Sequence, residues 1–457
     1  MKTLKGVPQR LYLIYSLLIL IYMINVFIDS PVITYIAGAI TIPILIISFF
    51  GASKLFRILG SIFLAVGSYL FVESNLSLLH ALTFFTTNLG LIGLLTVLPW
   101  MNIVVRAGRF DRRINELMKS NVSNMGSLYV RSTLTTYTLL SFINLSALTL
   151  TQSVLKENLQ KVSKKFRDGF ISQSTLRAFS MALVWSPMEI LVAISVDATG
   201  VSYLTMLPWL VLFSVIMMTM ESVRGKRAYA TMKYEAPYQL TRSFSMKEIV
   251  LNILQLLFAL TVFLTLIVGI GNLLDLSFIY AVTLVIFPFA CAWAFLMKRW
   301  RSFLAIGVKT WKDRTNNMQN FFVLFVTLAF FSNSLNETPI LQVIQQPFMA
   351  VSEYPLLILI FMQLTYLVMS MFGIHPIATI GVLIEVVAPL YSVMNPLSIG
   401  IVFITGALAT ASVATYGVTV TITSMNTQQN PYRITLTNMP FALLYGTVGT
   451  LLAYFLL

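Results

Sequence analysis

Apolar runs of membrane-crossing length, separated by short polar joints, recur along the whole chain. They fall at 11–28, 31–50, 55–72, 78–98, 132–155, 168–196, 203–220, 249–270, 278–296, 319–333, 355–392, 396–424 and 437–457. A bilayer core of about 30 Å takes about 20 residues of helix, so the pattern predicts an all-α polytopic membrane protein. Two runs do not read as simple crossings. The run 132–155 is preceded by Arg131 and followed by Lys156, Lys161, Lys164, Lys165 and Arg167, so one passage would strand a basic cluster outside. Its middle, "SFINLSALT" (141–149), is polar and weakly helical. This predicts a re-entrant hairpin that enters from the inside and returns there, a form tolerated where irregular backbone meets protein or a watery cavity. The run 355–392 predicts a second hairpin, entering from the outside and turning near "SMFGIHP" (370–376).

About eleven transmembrane helices plus the two hairpins result, with the N-terminus inside and the C-terminus outside the cytoplasmic membrane. The first run follows Lys2, Lys5 and Arg10 without a small-residue cleavage site and reads as a retained helix. On this threading the basic stretch "RAGRFDRRINELMK" (106–119) and Arg224, Lys226, Arg227, Lys298, Arg299 and Lys312 lie inside, while Asp197, Asp275, Glu337 and Glu353 lie outside. All 30 Lys and Arg fall on the inner side or within a few turns of it. Composition agrees: 58% of residues are hydrophobic and 10% charged. The net charge of +14 is accounted for by this asymmetry, so nucleic acid is not an expected partner, whereas anionic lipid at the inner surface is. The single cysteine, Cys291, lies in an apolar run.

Order along the chain suggests a duplication. Residues 128–220 read hairpin, interrupted helix, helix, and 355–457 repeat that order from the opposite side of the membrane. The expected division is 1–127 scaffold helices, 128–220 first transport-domain repeat, 221–354 cytoplasmic loop and further scaffold helices, and 355–457 second repeat. Inverted repeats bring broken helices and hairpin tips together at the midplane, where substrate and ions bind. The interruption in the first repeat is "MALVWSPMEI" (181–190). Ser186 as N-cap, Pro187 at the first helical position and Glu189 at the third match a capping box. The positive end of the new half-helix would then point into the membrane centre.

Several polar residues in apolar runs carry two readings each. Glu189 is either a structural cap or a coupling group, because intramembrane carboxylates are costly. Glu385 is either a buried structural partner or a proton or ion site. His375 is a turn cap or a titrating group. Arg177 either snorkels to the inner surface or meets substrate. The Ser and Thr residues at 405–424 either pack helices or bind a ligand.

The series "FINLSALTL", "FRDGFISQSTLRAFSMALVWSPMEI" and "DATGVSYLTMLPWLVL", with "GIHPIATIGVLIEVVAPLYSVMNPLSIG" and "TASVATYGVTVTI", resembles the ion transporter superfamily. Within it the likeness is to the large membrane subunit of tripartite periplasmic transporters and to divalent anion/sodium symporters. The resemblance implies a transport domain that slides like an elevator against a scaffold, moving carboxylate anions with sodium. Carried over by position, it implies a first site of Ser141, Asn144 and Ser146 with Ser186, and a second of Ser370, Thr410, Ser412, Thr415 and Gly417. A sodium ion would then sit near Asn144 and Ser186, and near Thr410 and Thr415. The chain lacks the paired prolines of the tripartite subunits at "SVATYG" and the Ser-Asn-Thr signature of the symporters, so both Na+ and H+ stay open as coupling ion.

The expected function is a secondary transporter of a small anion. No Gly-rich phosphate loop is present. With only His80 and His375, one Cys and no His-Glu-x-x-His motif, the chain offers little for a membrane-embedded hydrolase, and no enzymatic activity, cofactor or bound metal beyond a coupling ion is expected. A flippase or exporter of an amphipathic or lipid-linked anion and a non-transporting sensor remain as rivals. Expected partners are membrane lipid, the anionic substrate and, in a homodimer, a second copy of the chain.

Overall fold

The structure is a computed structural model that describes residues 10–108, 124–143, 145–234 and 246–457, and only the backbone of 142, 143, 246–250, 252 and 253. The described residues form helices without a strand; an isolated bridge pairs Asn124 with Lys233. Eight helical stretches are long and apolar enough to cross a bilayer. They are α1 (Leu11–Ile28), α2 (Pro31–Gly51), α3 (Lys54–Glu73), the pair α4 (Leu78–Phe84) and α5 (Leu89–Ala107), α10 (Tyr203–Ala228), α11 (Met246–Leu274), α12 (Phe278–Leu296) and α20 (Pro431–Tyr454). Another pair, α13 (Trp300–Asn316) and α14 (Gln319–Asn336), is bent by 53° at its joint. The chain is thus a multi-pass helical membrane protein.

Both expected hairpin segments are pairs of helices packed on each other: α6 (Met125–Ile143) with α7 (Leu145–Asn158), and α16 (Pro355–Met371) with α17 (Pro376–Val387). Both expected interruptions are present as well. The first separates α8 (Lys164–Leu183) from α9 (Ile190–Thr199); the second separates α18 (Pro396–Ala409) from α19 (Val418–Thr427). Packing repeats along with order. The contacts α6–α8, α6–α10, α8–α10, α7–α19, α9–α18 and α10–α18 are matched by α16–α18, α16–α20, α18–α20, α17–α9, α19–α8 and α20–α8, while α10 meets α20. The remaining helices form their own cluster, with α5 held by α1, α12 and α13, and α14 by α2 and α3.

A buried charge network ties the two repeats together. Arg177 on α8 lies 3.0 Å from Glu221 on α10, and Arg224 and the Tyr129 hydroxyl on α6 bond the same carboxylate. Arg177 also donates to Asn438 Oδ1 (3.0 Å) and to the Thr437 carbonyl (3.2 Å) on α20. Arg177 therefore does not snorkel: it is 4% exposed, and its charge is neutralised inside the protein by a carboxylate 44 residues away.

Two helices were hidden from hydropathy. α13 falls in a segment read as inner loop because its basic residues mask the apolar face, on which Phe303 and Gly307 pack against Trp100 of α5 and Trp311 against Tyr12 of α1. α15 (Ile340–Ala350), in the connection before the second hairpin, has no buried residue and rests on α17.

Candidate functional site

The first interruption is built by the proline turn. Glu189 N–H donates to the Ser186 carbonyl at 3.1 Å, closing a β-turn with Pro187 at its second position, where the ring's φ is favoured. Winding restarts one turn later than a capping box requires. Glu189 itself is the N-cap, in extended conformation and without a side-chain cap bond, while Ser186 Oγ only meets Met188 N at 3.4 Å. Backbone groups released by the break find partners: the Trp185 carbonyl accepts from Tyr203 and the Met181 carbonyl from Ser214.

At the tip of the second hairpin, α16 stops in a Schellman motif. Ile374 N donates to Met369 O (3.0 Å) and Gly373 N to Ser370 O (3.1 Å), with Gly373 at φ +83°. Two residues on, His375 caps α17 by accepting from Ile377 N at 3.2 Å, ahead of Pro376 at the first helical position. The cap reading of His375 is thus realised, and Phe321 meets its ring edge-on at 5.8 Å. At the second interruption α18 tightens into a 3-10 turn (Thr410–Ser412), and α19 restarts with Gly417 as N-cap. A Cβ at 417 would sit 2.8 Å from that of Ala414, so the loop is closed on a glycine.

These three devices converge with the start of α7. Leu145, Ile190, Pro376 and Val418, the first residues of α7, α9, α17 and α19, line one cavity of about 350 Å3, which α3, α5 and α14 close from the other side with Phe56, Leu98 and Phe321. Four helix N-termini thus face one space, and among the described residues no Lys or Arg lines it. Its lining is mostly apolar, and Glu189 is its carboxylate.

Of the residues singled out from sequence, Glu189, Ser370, His375, Thr410 and Gly417 line this cavity. Ser141 and Ser186 instead line a separate space of about 30 Å3 with Asn102 and Met188, room for a water or a single ion. Sequence reasoning passed over Asn102, whose signal was a lone amide inside the apolar α5. Ser412 is buried and turned to the Ala409 carbonyl, and Thr415 bonds Thr435 of α20 at 2.9 Å. Ser146 lines none of these spaces, and Asn144 lies outside the described residues. Glu385 faces a different cavity, of about 280 Å3, together with Asp197, Asn88 and Asn333. Ser332 on α14 donates to its carboxylate, and Gln345 on α15 donates to its carbonyl at 2.8 Å.

Two helical hairpins, two interrupted helices and a shared cavity at their ends define a fold found in membrane transporters. The chain is similar to the YdaH transporter of Alcanivorax borkumensis, with a TM-score of 0.60, 14% identity, and coverage of 88% of this chain and 97% of that one. It is also similar to MtrF of Neisseria gonorrhoeae, which represents a class of antimetabolite efflux pumps, with a TM-score of 0.58, 12% identity, and coverage of 86% and 94%. No protein-family model and no curated protein matches the sequence. At these identities the likeness is one of fold.

Proposed function

We propose that this protein is a secondary transporter that carries a small amphipathic carboxylate across the cytoplasmic membrane, coupled to H+ or Na+ through Glu189. One observation carries the reading: four helix N-termini converge on an apolar cavity that no basic side chain lines among the described residues. Each N-terminus is equivalent to roughly half a positive charge, so together they can receive an anion that no guanidinium or ammonium awaits. The apolar walls take its hydrocarbon part. In this reading the two interrupted helices are added to the eight long stretches and the bent pair, which makes the eleven crossings expected from sequence. α6–α7 and α16–α17 are re-entrant, and α6–α10 with α16–α20 form a transport domain that moves as an elevator against α1–α5 and α11–α15. The duplicated packing of the two halves supports this division. The fold shared with two transporters supports a transport reading.

Glu189 sits where it can sense both ligand and ion, as the N-cap of a half-helix and inside the cavity wall. The test starts from purified protein, with thermal stabilisation by a panel of aliphatic, aromatic and dicarboxylic acids, followed by uptake of the strongest binder into proteoliposomes under an imposed proton or sodium gradient. The wild type should accumulate an amphipathic monocarboxylate under one of the two gradients. Glu189→Gln should fold, bind and exchange, yet lose gradient-driven uptake. Wild-type gradient dependence in that variant would reduce Glu189 to a cap and shift coupling to Glu385. A second reading, export of a larger amphipathic or lipid-linked anion, also draws on the apolar lining. It predicts transport only out of the cytoplasmic side, seen as uptake by inside-out vesicles.

A further inference from the structure

The corner where α12 hands over to α13 is built in an unusual way. Arg299 N donates to the Ala294 carbonyl and Lys298 N to the Phe295 carbonyl, both at 2.9 Å, which is the helix stop usually made with glycine. Here the left-handed position is held by Lys298 at φ +57°. The other non-glycine residues at positive φ are Asp29, Asn75, Asp275 and Gln428, so Lys298 is the one cation among the described residues in this strained conformation. Strain of this kind persists where surrounding structure or a ligand requires it. The turn brings Lys298, Arg299 and Arg301 around an open cavity of about 710 Å3. None of the three takes part in the described ion pairs, which engage Arg167, Arg177 and Arg224, or in the described cation–π contacts. Lys312, by contrast, rests over the Tyr12 ring. The same cavity is walled by Phe295, Leu296 and Trp300, exposed by 72%, 78% and 39%.

We infer that this corner, residues 295–302, binds the phosphate diester of an anionic phospholipid. Charge complementarity selects the head group: two guanidiniums offer forked donors to phosphate oxygens, and the ammonium adds a third positive charge beside the carbonyl end of α12. The neighbouring apolar side chains select a lipid over a soluble phosphate, because acyl chains cover them while inorganic phosphate leaves them in water. α13 fits the setting. It is amphipathic, fastened by Phe303 and Trp311 to α5 and α1, and bent away from α14, as a helix lying in the membrane interface would be. The corner shares no residue with the central cavity, so lipid and transported anion occupy different places.

The test is native mass spectrometry of the purified full chain titrated with phosphatidylglycerol or phosphatidylcholine, alongside lipid-induced change in Tm. Lys298→Gly/Arg299→Gln/Arg301→Gln should weaken phosphatidylglycerol binding at least tenfold and leave phosphatidylcholine adducts unchanged, whereas Lys309→Gln on the same helix should change neither. Lys298→Gly alone should be at least as stable as the wild type without lipid, since it relieves the strained φ, and should show a smaller rise in Tm on adding phosphatidylglycerol. If the triple variant does not fold, Arg301→Gln, which leaves the turn untouched, must still weaken binding about threefold. Undiminished phosphatidylglycerol binding in these variants, an equal loss in Lys309→Gln, or displacement of the lipid by millimolar glycerol 3-phosphate would overturn the assignment; the last outcome would mark a soluble-phosphate site.

Discussion

Glu221 shows how much a single intramembrane residue can hold. It is 3% exposed and takes bonds from Arg177, Arg224 and Tyr129, so one carboxylate pairs with a buried cation and with a second at the edge. The two ends of this network should respond unequally to mutation. Arg177→Met leaves Glu221 still paired with Arg224, whereas Glu221→Gln strands the Arg177 guanidinium among apolar helices. Removing one partner of a buried pair costs about 3–5 kcal/mol when the other charge is left uncompensated. Glu221→Gln should therefore lower Tm in detergent clearly more than Arg177→Met, and scanning fluorimetry of the two variants decides it; equal losses would mean that Asn438 Oδ1 and the Thr437 carbonyl satisfy the Arg177 guanidinium well enough. Glu189 was legible in the sequence as a carboxylate beside a proline break. Its position as N-cap was not, because the choice between restarting the helix at Pro187 or at Ile190 depends on whether Glu189 N–H turns back to Ser186.

Between elements, small residues decide how close the helices come. A Cβ added at Gly446 of α20 would lie 2.2 Å from Gln363 Nε2 on α16, and one at Gly406 of α18 would lie 3.1 Å from the same side chain's Oε1. Gln363 is 5% exposed, and its amide has no hydrogen-bond partner among the described residues, so it fills the space between two glycines rather than anchoring a network. Overpacking a tight contact costs about 1–3 kcal/mol. Gly446→Ala should destabilise by that order, and adding Gln363→Ala should remove most of the penalty, a coupling that a double-mutant cycle of unfolding free energies measures directly. Additive losses would show that the crowding lies elsewhere. The second hairpin tip and the first helix break could be placed from Gly373, Pro376 and Pro187 because these residues limit the backbone locally. α13 could not, since its apolar stripe is visible only once Trp100 and Tyr12 are seen to cover it.

For the whole molecule, orientation rests on charge asymmetry, and the structure supplies exposed positions at which to test it. In a Cys291→Ser background, Asp275→Cys and Glu337→Cys should react with a membrane-impermeant maleimide in intact cells, and Lys309→Cys only after permeabilisation. Reaction of Lys309→Cys from outside would invert the threading, and with it the face on which the lipid-binding corner lies. The same orientation places the cavity of Asp197 and Glu385 toward the outside of the central one. There the contacts of Ser332 and Gln345 with Glu385 join α14 and α15 to the second hairpin; under the elevator reading proposed above, these are bonds that would have to break.

Hydropathy, basic flanks and a few prolines and glycines were enough to place most of the long apolar helices, the two helix pairs and both breaks, because each of these is set by local backbone chemistry or by the cost of moving charge across a membrane. They did not determine which polar residues share a cavity. Ser141 and Ser186 part company with Thr410, Glu385 faces a different space, and Thr415 turns to Thr435. Lipid and protein interior are both apolar, so a membrane helix carries little contrast between its buried and exposed faces. Its rotation is settled only by packing against helices hundreds of residues away.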